Sequence, residues 1–445
     1  MKKNLAITFT AITLVGLSLS PMLSASASDS GVDMPDAFGD EVNNVIFLIP
    51  DGFSTAYADS YRLFKEDGPP IWEEKQMLKG MVATHSADSL ITDSAAAGTA
   101  LATGVKTNNG VIGYSPEGEE LESIVDLARQ AGKKNGLVAT STINHATPAA
   151  FAASVEGRND YEGIAKQLIH HDGIDLLLGG GREQFQSPEQ GGIREDGVDL
   201  IGEAEDNGFT YMETKRDLLA TEADSSKKFL GLFADDALLA NFGPSIIEPS
   251  LAQMTSFAID HLSQSDEGFF LMVEGSQIDW AGHDNDAAYA MKDTHAFEEA
   301  VKLAVDFAEQ DKETLVVMVG DHDTGGLSIQ PDDEFNPSNL HDVSMTGADM
   351  IQLVDHSFSN LEEVITEETS MTFSGDELER IKKSNDPKMA LNTLVSEKAG
   401  MAWTSDNHTA IDVPIYAYGP QSTNFTGTID NTDVFQGIRQ ALIGN

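Results

Sequence analysis

The chain has 445 residues, no cysteine, and 73 Asp and Glu against 27 Lys and Arg, a formal charge of −46 at pH 7. That length can bury a large core, as two domains or as one large α/β domain with an insertion, the organisation we favour. The charge repels nucleic acid and anionic lipid, and the lack of cysteine excludes disulfides and lipidated thiols, so packing and metals must supply the stability.

Residues 1–27 have the pattern of a secretory signal peptide: Lys2 and Lys3, an apolar segment from Leu5 to Leu19, Pro21, then Ala25-Ser26-Ala27 as a small-residue cleavage site. Cleavage near Ala27 predicts a mature chain from about Ser28, secreted or periplasmic. No later stretch is long and apolar enough to span a bilayer. The acidic excess also predicts a protein that works in salty surroundings, where counterions screen its self-repulsion.

Strands are predicted at Val45–Ile49, Gly136–Thr140, Ile174–Leu178, Phe269–Val273, Leu315–Val319 and Val413–Tyr418. Several are almost continuously apolar, as a sheet covered on both faces requires. Helices are predicted at Leu121–Gln130, Tyr161–His170, Leu251–Leu262, Asp286–Glu309 and Val434–Leu442. This alternation predicts an α/β fold, a mostly parallel central sheet flanked by helices on both faces. The acidic, turn-rich stretch 183–228 is expected to form loops over a sheet edge. Residues 325–407 hold 16 acidic and 5 basic residues with Pro331, Pro337 and Pro387, and they interrupt the rhythm as an acidic surface insertion within the domain 28–445.

Ligands on such sheets bind beyond the carboxyl ends of the strands. Asp51, Glu274 and Asp321-His322 all sit there. Carboxylate and neutral imidazole suit zinc, and two zinc ions can clamp the attacking and leaving oxygens of an in-line displacement. Asp279 and His283 have i, i+4 spacing, which fits a helix or a turn. Asp321 and His322 can share an ion only if the backbone turns, which Thr324-Gly325-Gly326 would permit. Blander readings stand beside these: Asp51 as a helix cap, with Gly52 giving room for an ion, and His408 as a surface or hydrogen-bonded histidine. Gly179-Gly180-Gly181-Arg182 reads as a tight turn, and Asp284 and Asp286 as helix caps. Ser94, within Asp93-Ser94-Ala95-Ala96-Ala97-Gly98, looks like a nucleophile left accessible by small neighbours.

Six motifs in order resemble the alkaline phosphatase family between about Asn44 and Gly419-Pro420. They are Asp93-Ser94-Ala95-Ala96-Ala97, Ala146-Thr147-Pro148-Ala149-Ala150, Val273-Glu274-Gly275, Asp279 with His283, Gly320-Asp321-His322, and His408 before Tyr418-Gly419-Pro420. The resemblance implies a phosphate monoester hydrolase of low selectivity that releases inorganic phosphate. In it, Ser94 forms a covalent phosphoserine, and Arg158, oriented by Asp93, forks onto two phosphate oxygens, with Arg182 as the less favoured substitute. It implies one zinc ion (Zn2+) on Asp279, His283 and His408, a second on Asp51, Asp321 and His322, and one magnesium ion (Mg2+) on Asp51, Thr147 and Glu274. It also implies a homodimer.

Two positions depart from the enterobacterial pattern, which has aspartate two residues before the Thr147 position and lysine after the Asp279 position. This chain has His145 and Trp280. Trp280 lacks the charge to hold product phosphate, and His145 is expected beside magnesium through water or a hydrogen bond. The alternatives are a phosphodiesterase of the same superfamily, or a non-catalytic acidic protein that binds cations.

Overall fold

A computed structural model describes residues 38–330 and 336–444; the expected leader, 1–27, lies outside them. The strands are β1 (Asn44–Pro50), β2 (Leu78–Ala83), β3 (Lys134–Thr142), β4 (Leu176–Gly180), β5 (Phe209–Met212), β6 (Lys228–Leu232), β7 (Phe269–Gly275), β8 (Thr314–Val319), β9 (Asp323–Thr324), β10 (Ser328–Ile329), β11 (Met401–Ala402), β12 (His408–Thr409), β13 (Val413–Tyr418) and β14 (Gly427–Asp430). Ten of them form one sheet in the order β14-β2-β13-β8-β1-β7-β3-β4-β6-β5. Only β13 runs against its neighbours, so the sheet is mostly parallel, as expected.

All six predicted strands lie in this sheet. Period-two alternation gives β1 two buried faces: Ile46 and Leu48 enter one apolar layer, Val45, Phe47 and Ile49 the other. Full burial of each such side chain contributes about 1.5–3 kcal/mol. Helices Tyr161–His170 and Leu251–Leu262 match their expected limits, while the one expected from Leu121 begins at Ile124, where Ser123 makes a capping box with Asp126.

The stretch 183–228 corrects its expectation. It does not merely loop over the sheet edge: β5 lies within it, parallel to β6, and extends the sheet. Phe209 and Met212 bury while Thr210 stays exposed, and these few apolar positions were masked by acidic neighbours.

Within 325–407 the chain forms helices Gly347–Leu353, Leu361–Thr369, Gly375–Lys383 and Pro387–Lys398. Their apolar faces, including Met350, Ile365, Ile381 and Leu394, join the same layer as the long helix Ala287–Asp311. Two short antiparallel ribbons, β9 with β12 and β10 with β11, bring the ends of this segment together.

Candidate functional site

The sheet order explains why residues distant in sequence converge. Strands β8, β1, β7 and β3 are consecutive neighbours. Asp321-His322 follows β8, Asp51 follows β1, Glu274 lies at the end of β7, and His145 and Thr147 follow β3. Asp51, Thr147, Glu274, Asp321 and His322 are all buried.

Asp51 is not a helix cap. The next helix, Thr55–Phe64, starts after Ser54, and both Asp51 carboxylate oxygens are buried without a hydrogen-bond partner among the described residues. The backbone does turn after β8: Asp321 Oδ1 accepts from Gly52 N and His322 N, both at 3.0 Å, and Asp321 Oδ2 lies 3.1 Å from His322 Nε2. Gly52 is needed for a different reason than room for an ion. Its φ is +73°, and an added Cβ would lie 2.8 Å from Asp279 Cα and Thr324 Oγ1.

Ser94 opens the helix Ser94–Thr103, and Asp93 caps it by accepting from Ala96 N. The small residues do not leave the serine exposed, because Ser94 is 2% accessible. They allow close packing instead: a Cβ on Gly98 would meet Ala150 Cβ at 3.1 Å and Thr147 Cα at 3.5 Å. Ser94 Oγ lies 3.2 Å from His322 Nε2, at the positive end of its helix. Asp93 Oδ2 accepts from Arg158 Nη1 and Gly110 N, each at 3.0 Å, so the guanidinium is held beside the helix that Ser94 opens. Arg182 is engaged elsewhere, by Asp235 and Glu213.

The third group stands on less regular backbone. Asp279 and His283 occupy the helix Gln277–His283, and β12 brings His408 opposite Thr324 of β9. Asp279 Oδ2 is 3.4 Å from His283 Nε2, Asp279 Oδ1 is 3.6 Å from His408 Nε2, and the two imidazole Nε2 atoms are 3.2 Å apart. His283 Nδ1 lies 2.7 Å from Asp406 O, and His408 Nδ1 lies 2.8 Å from Thr92 O. Donation from each Nδ1–H to its carbonyl leaves both Nε2 lone pairs facing each other, an arrangement suited to a cation.

The same logic holds at His322, whose Nε2 is within 3.5 Å of oxygens from Ser94, Asp321 and Asp51. One ring nitrogen cannot satisfy three oxygens. Glu274 Oε1, Thr147 Oγ1 and Asp321 Oδ2 also lack hydrogen-bond partners among the described residues, as does His145 Nδ1. The donor set therefore fits metal ions: carboxylate and hydroxyl oxygens for a hard ion, imidazole with carboxylate for zinc. Donor atoms of Asp51, Asp321 and His322 lie within 4.8 Å of one another, as do those of Asp51, His145 and Glu274, and of Asp279, His322 and His408.

Proton affinities reflect this crowding. Burial, with the Asp321, Asp279 and Glu274 charges, lifts Asp51 well above the carboxylate range. Burial likewise pushes Glu274 up to about 8. It would raise Asp279 too, but His283, His322 and His408 outweigh it and hold that carboxyl low. Burial and the neighbouring Arg158 lower His145 to about 4, and burial with His322 lowers His408 to about 4.

His145 Nε2 lies 3.3 Å from Arg158 Nη2, and its ring stands edge-on to Trp280 at 6.0 Å. Among residues the motif reading overlooked, Thr324 Oγ1 donates to Asp279 Oδ1 at 2.5 Å and lies 3.2 Å from His322 Nδ1, tying two candidate ligands together. Its signal was present in Thr324-Gly325-Gly326, which suggested only a turn. The Thr92 and Asp406 carbonyls had no signal, since any residue supplies one.

The alkaline phosphatase family profile matches residues 42–443. Alkaline phosphatase 4 of Bacillus subtilis is 40% identical over 413 residues, covering 88% of this chain and 87% of that protein. The crystal structure of Thermus thermophilus alkaline phosphatase is similar at a TM-score of 0.83 and 27% identity, covering 96% of each chain. A mutant alkaline phosphatase from the Antarctic bacterium TAB5, with Mg bound in its M3 site, is similar at a TM-score of 0.69 and 29% identity, covering 91% of this chain and 99% of that one.

Proposed function

The chain belongs to the alkaline phosphatase family of phosphoric monoester hydrolases, and from that premise we propose that it cleaves phosphate monoesters with low selectivity through a phosphoserine at Ser94. The observation that carries this reading is Ser94 Oγ at a helix N-terminus, 3.2 Å from His322 Nε2, with Arg158 held by Asp93.

Asp279, His283 and His408 would hold one zinc ion, Asp51, Asp321 and His322 a second, and Asp51, Thr147 and Glu274 magnesium, with His145 nearby. Bound there, the ions supply Lewis acidity that lowers the serine pKa and offsets charge on the phosphoryl oxygens. The helix N-terminus and the Arg158 fork position the phosphoryl group, with Asp93 fixing the guanidinium plane. Ser94 Oγ, its proton released to solvent, attacks phosphorus; the ester P–O bond breaks and the leaving alkoxide takes a proton from water. Water then attacks the phosphoserine, inorganic phosphate departs, and Ser94 Oγ regains a proton.

The test is hydrolysis of a chromogenic phosphate monoester by wild type and Ser94→Ala, before and after chelation and again with zinc plus magnesium restored. We expect metal-dependent turnover that falls by at least about 10³-fold in Ser94→Ala. A metal-loaded wild type without turnover overturns the monoesterase reading.

We further read residues 1–27, from their basic, apolar and small-residue pattern, as a leader that directs export, 325–407, from its acidic composition and broken rhythm, as an insertion that is crown-like by family resemblance, and the working form as a homodimer by the same resemblance. N-terminal sequencing of exported protein, deletion of 336–398, and mass in solution check these in turn. The charge of −46 supports salt adaptation. Activity and melting temperature both highest in salt-free buffer would remove that idea.

A further inference from the structure

Asn285 does no chemistry in the scheme above, yet it is buried, has φ of +50°, and is bonded on three sides. Its Nδ2 donates to Gly282 O and to Ser405 O, both at 2.8 Å. Its own carbonyl accepts from Ser396 Oγ at 3.1 Å, and that hydroxyl also accepts from Trp403 Nε1 at 3.0 Å. One residue beyond Ser405, Asp406 O receives His283 Nδ1 at 2.7 Å.

We propose that Asn285 is a positioning residue: its amide clasps the end of the His283 helix to the 405–406 turn, so that the Asp406 carbonyl holds the His283 ring and presents Nε2 to zinc. The inference rests on the reading of Asp279, His283 and His408 as a zinc site. An imidazole is only as well oriented as the carbonyl that receives its second nitrogen. That carbonyl belongs to a turn outside the sheet, and one short amide links it to the backbone of Gly282, next to His283. The residue type fits the place: asparagine tolerates the left-handed backbone and carries two donors. The end of the 325–407 segment thus contributes to the site through backbone oxygens that no side-chain motif records.

The test follows zinc release from the full-length, zinc-loaded protein into excess chromogenic chelator. Asn285→Gly accepts the left-handed backbone and removes the amide; Asn285→Asp keeps the shape and loses the donors. We expect one of the two zinc ions to leave about 10–100-fold faster in both variants, with the second released at the wild-type rate and both loaded variants folded. Wild-type release of both ions overturns the proposal. So does equal acceleration of both, or failure of both variants to fold, since either outcome assigns Asn285 to general stability. A wild type that binds no zinc instead overturns the zinc reading beneath it.

Discussion

The two halves of the candidate metal site are built differently. Asp51, Glu274, Asp321 and His322 stand at the ends of adjacent sheet strands and are fully or almost fully buried. His283 and His408 stand on a short helix and a two-residue ribbon, their side chains 36% and 13% exposed, and their Nδ1 atoms meet loop carbonyls. Strand ends inherit the rigidity of the sheet, whereas the outer half depends on turns braced by a segment inserted between His283 and His408. The inner half should therefore hold charge firmly and the outer half should exchange first.

Metal removal breaks or sustains this contrast with the largest effect. Stepwise chelation should release the ion of the Asp279, His283 and His408 group before the others, with activity lost at that step. Loss of the inner ions should then lower the melting temperature sharply, because buried like-charged carboxylates lose their counterions; a ligand at about 1,000 times its Kd stabilises by about 4 kcal/mol. Calorimetry with metal analysis at each step checks it, and release of all ions in a single step would merge the two halves.

A smaller effect probes the boundary between them, where Trp280 meets His145 and His145 meets Arg158. Trp280→Lys adds a cation near the phosphate site, so product phosphate should inhibit about tenfold more tightly, and turnover should fall if product release limits it. Unaltered inhibition by phosphate would remove the basis for linking Trp280 to product release.

A more local effect lies behind the outer half, on the helix Ala287–Asp311. Asp293 is pushed up to about 7 by burial, despite accepting from Asn241 N at 3.0 Å, and the Asp286 charge adds to the rise. Its folded pKa is raised above the unfolded value near 3.8. Its contribution to stability is therefore greatest below about pH 4 and is lost as pH rises through about 7. The melting-temperature difference between Asp293→Asn and wild type should grow in the variant's favour from pH 4 to 7 and level off above. A difference independent of pH would show that this carboxyl does not titrate as stated.

Much of the fold was legible because parallel strands buried on both faces must be apolar along most of their length, and β1, β7 and β8 are. β2 (Leu78–Ala83) and β6 (Lys228–Leu232), each second from an edge of the sheet, were not predicted, and neither were β5 and β14. β5 and β14 lie at the sheet's edges, where few apolar residues suffice, and Thr428 is exposed even within a paired strand. In the site, Asp51, Glu274 and Asp321-His322 could be placed from sequence, since each follows or closes an apolar run that ends at the sheet's carboxyl edge. The small residues after Ser94 were misread as a means of exposure, because accessibility depends on what packs against the helix.

The sequence by itself determined the α/β alternation, the six ordered motifs, the acidic character and the candidate ligand and nucleophile side chains. Those follow from local periodicity and residue chemistry. Only the tertiary structure decided that β8, β1, β7 and β3 lie side by side, that Arg158 rather than Arg182 reaches Asp93, and that backbone carbonyls and Asn285 stand behind the imidazoles. Strand order and second contacts arise from long-range packing and from backbone atoms common to all residues, which leave no mark in the order of side chains.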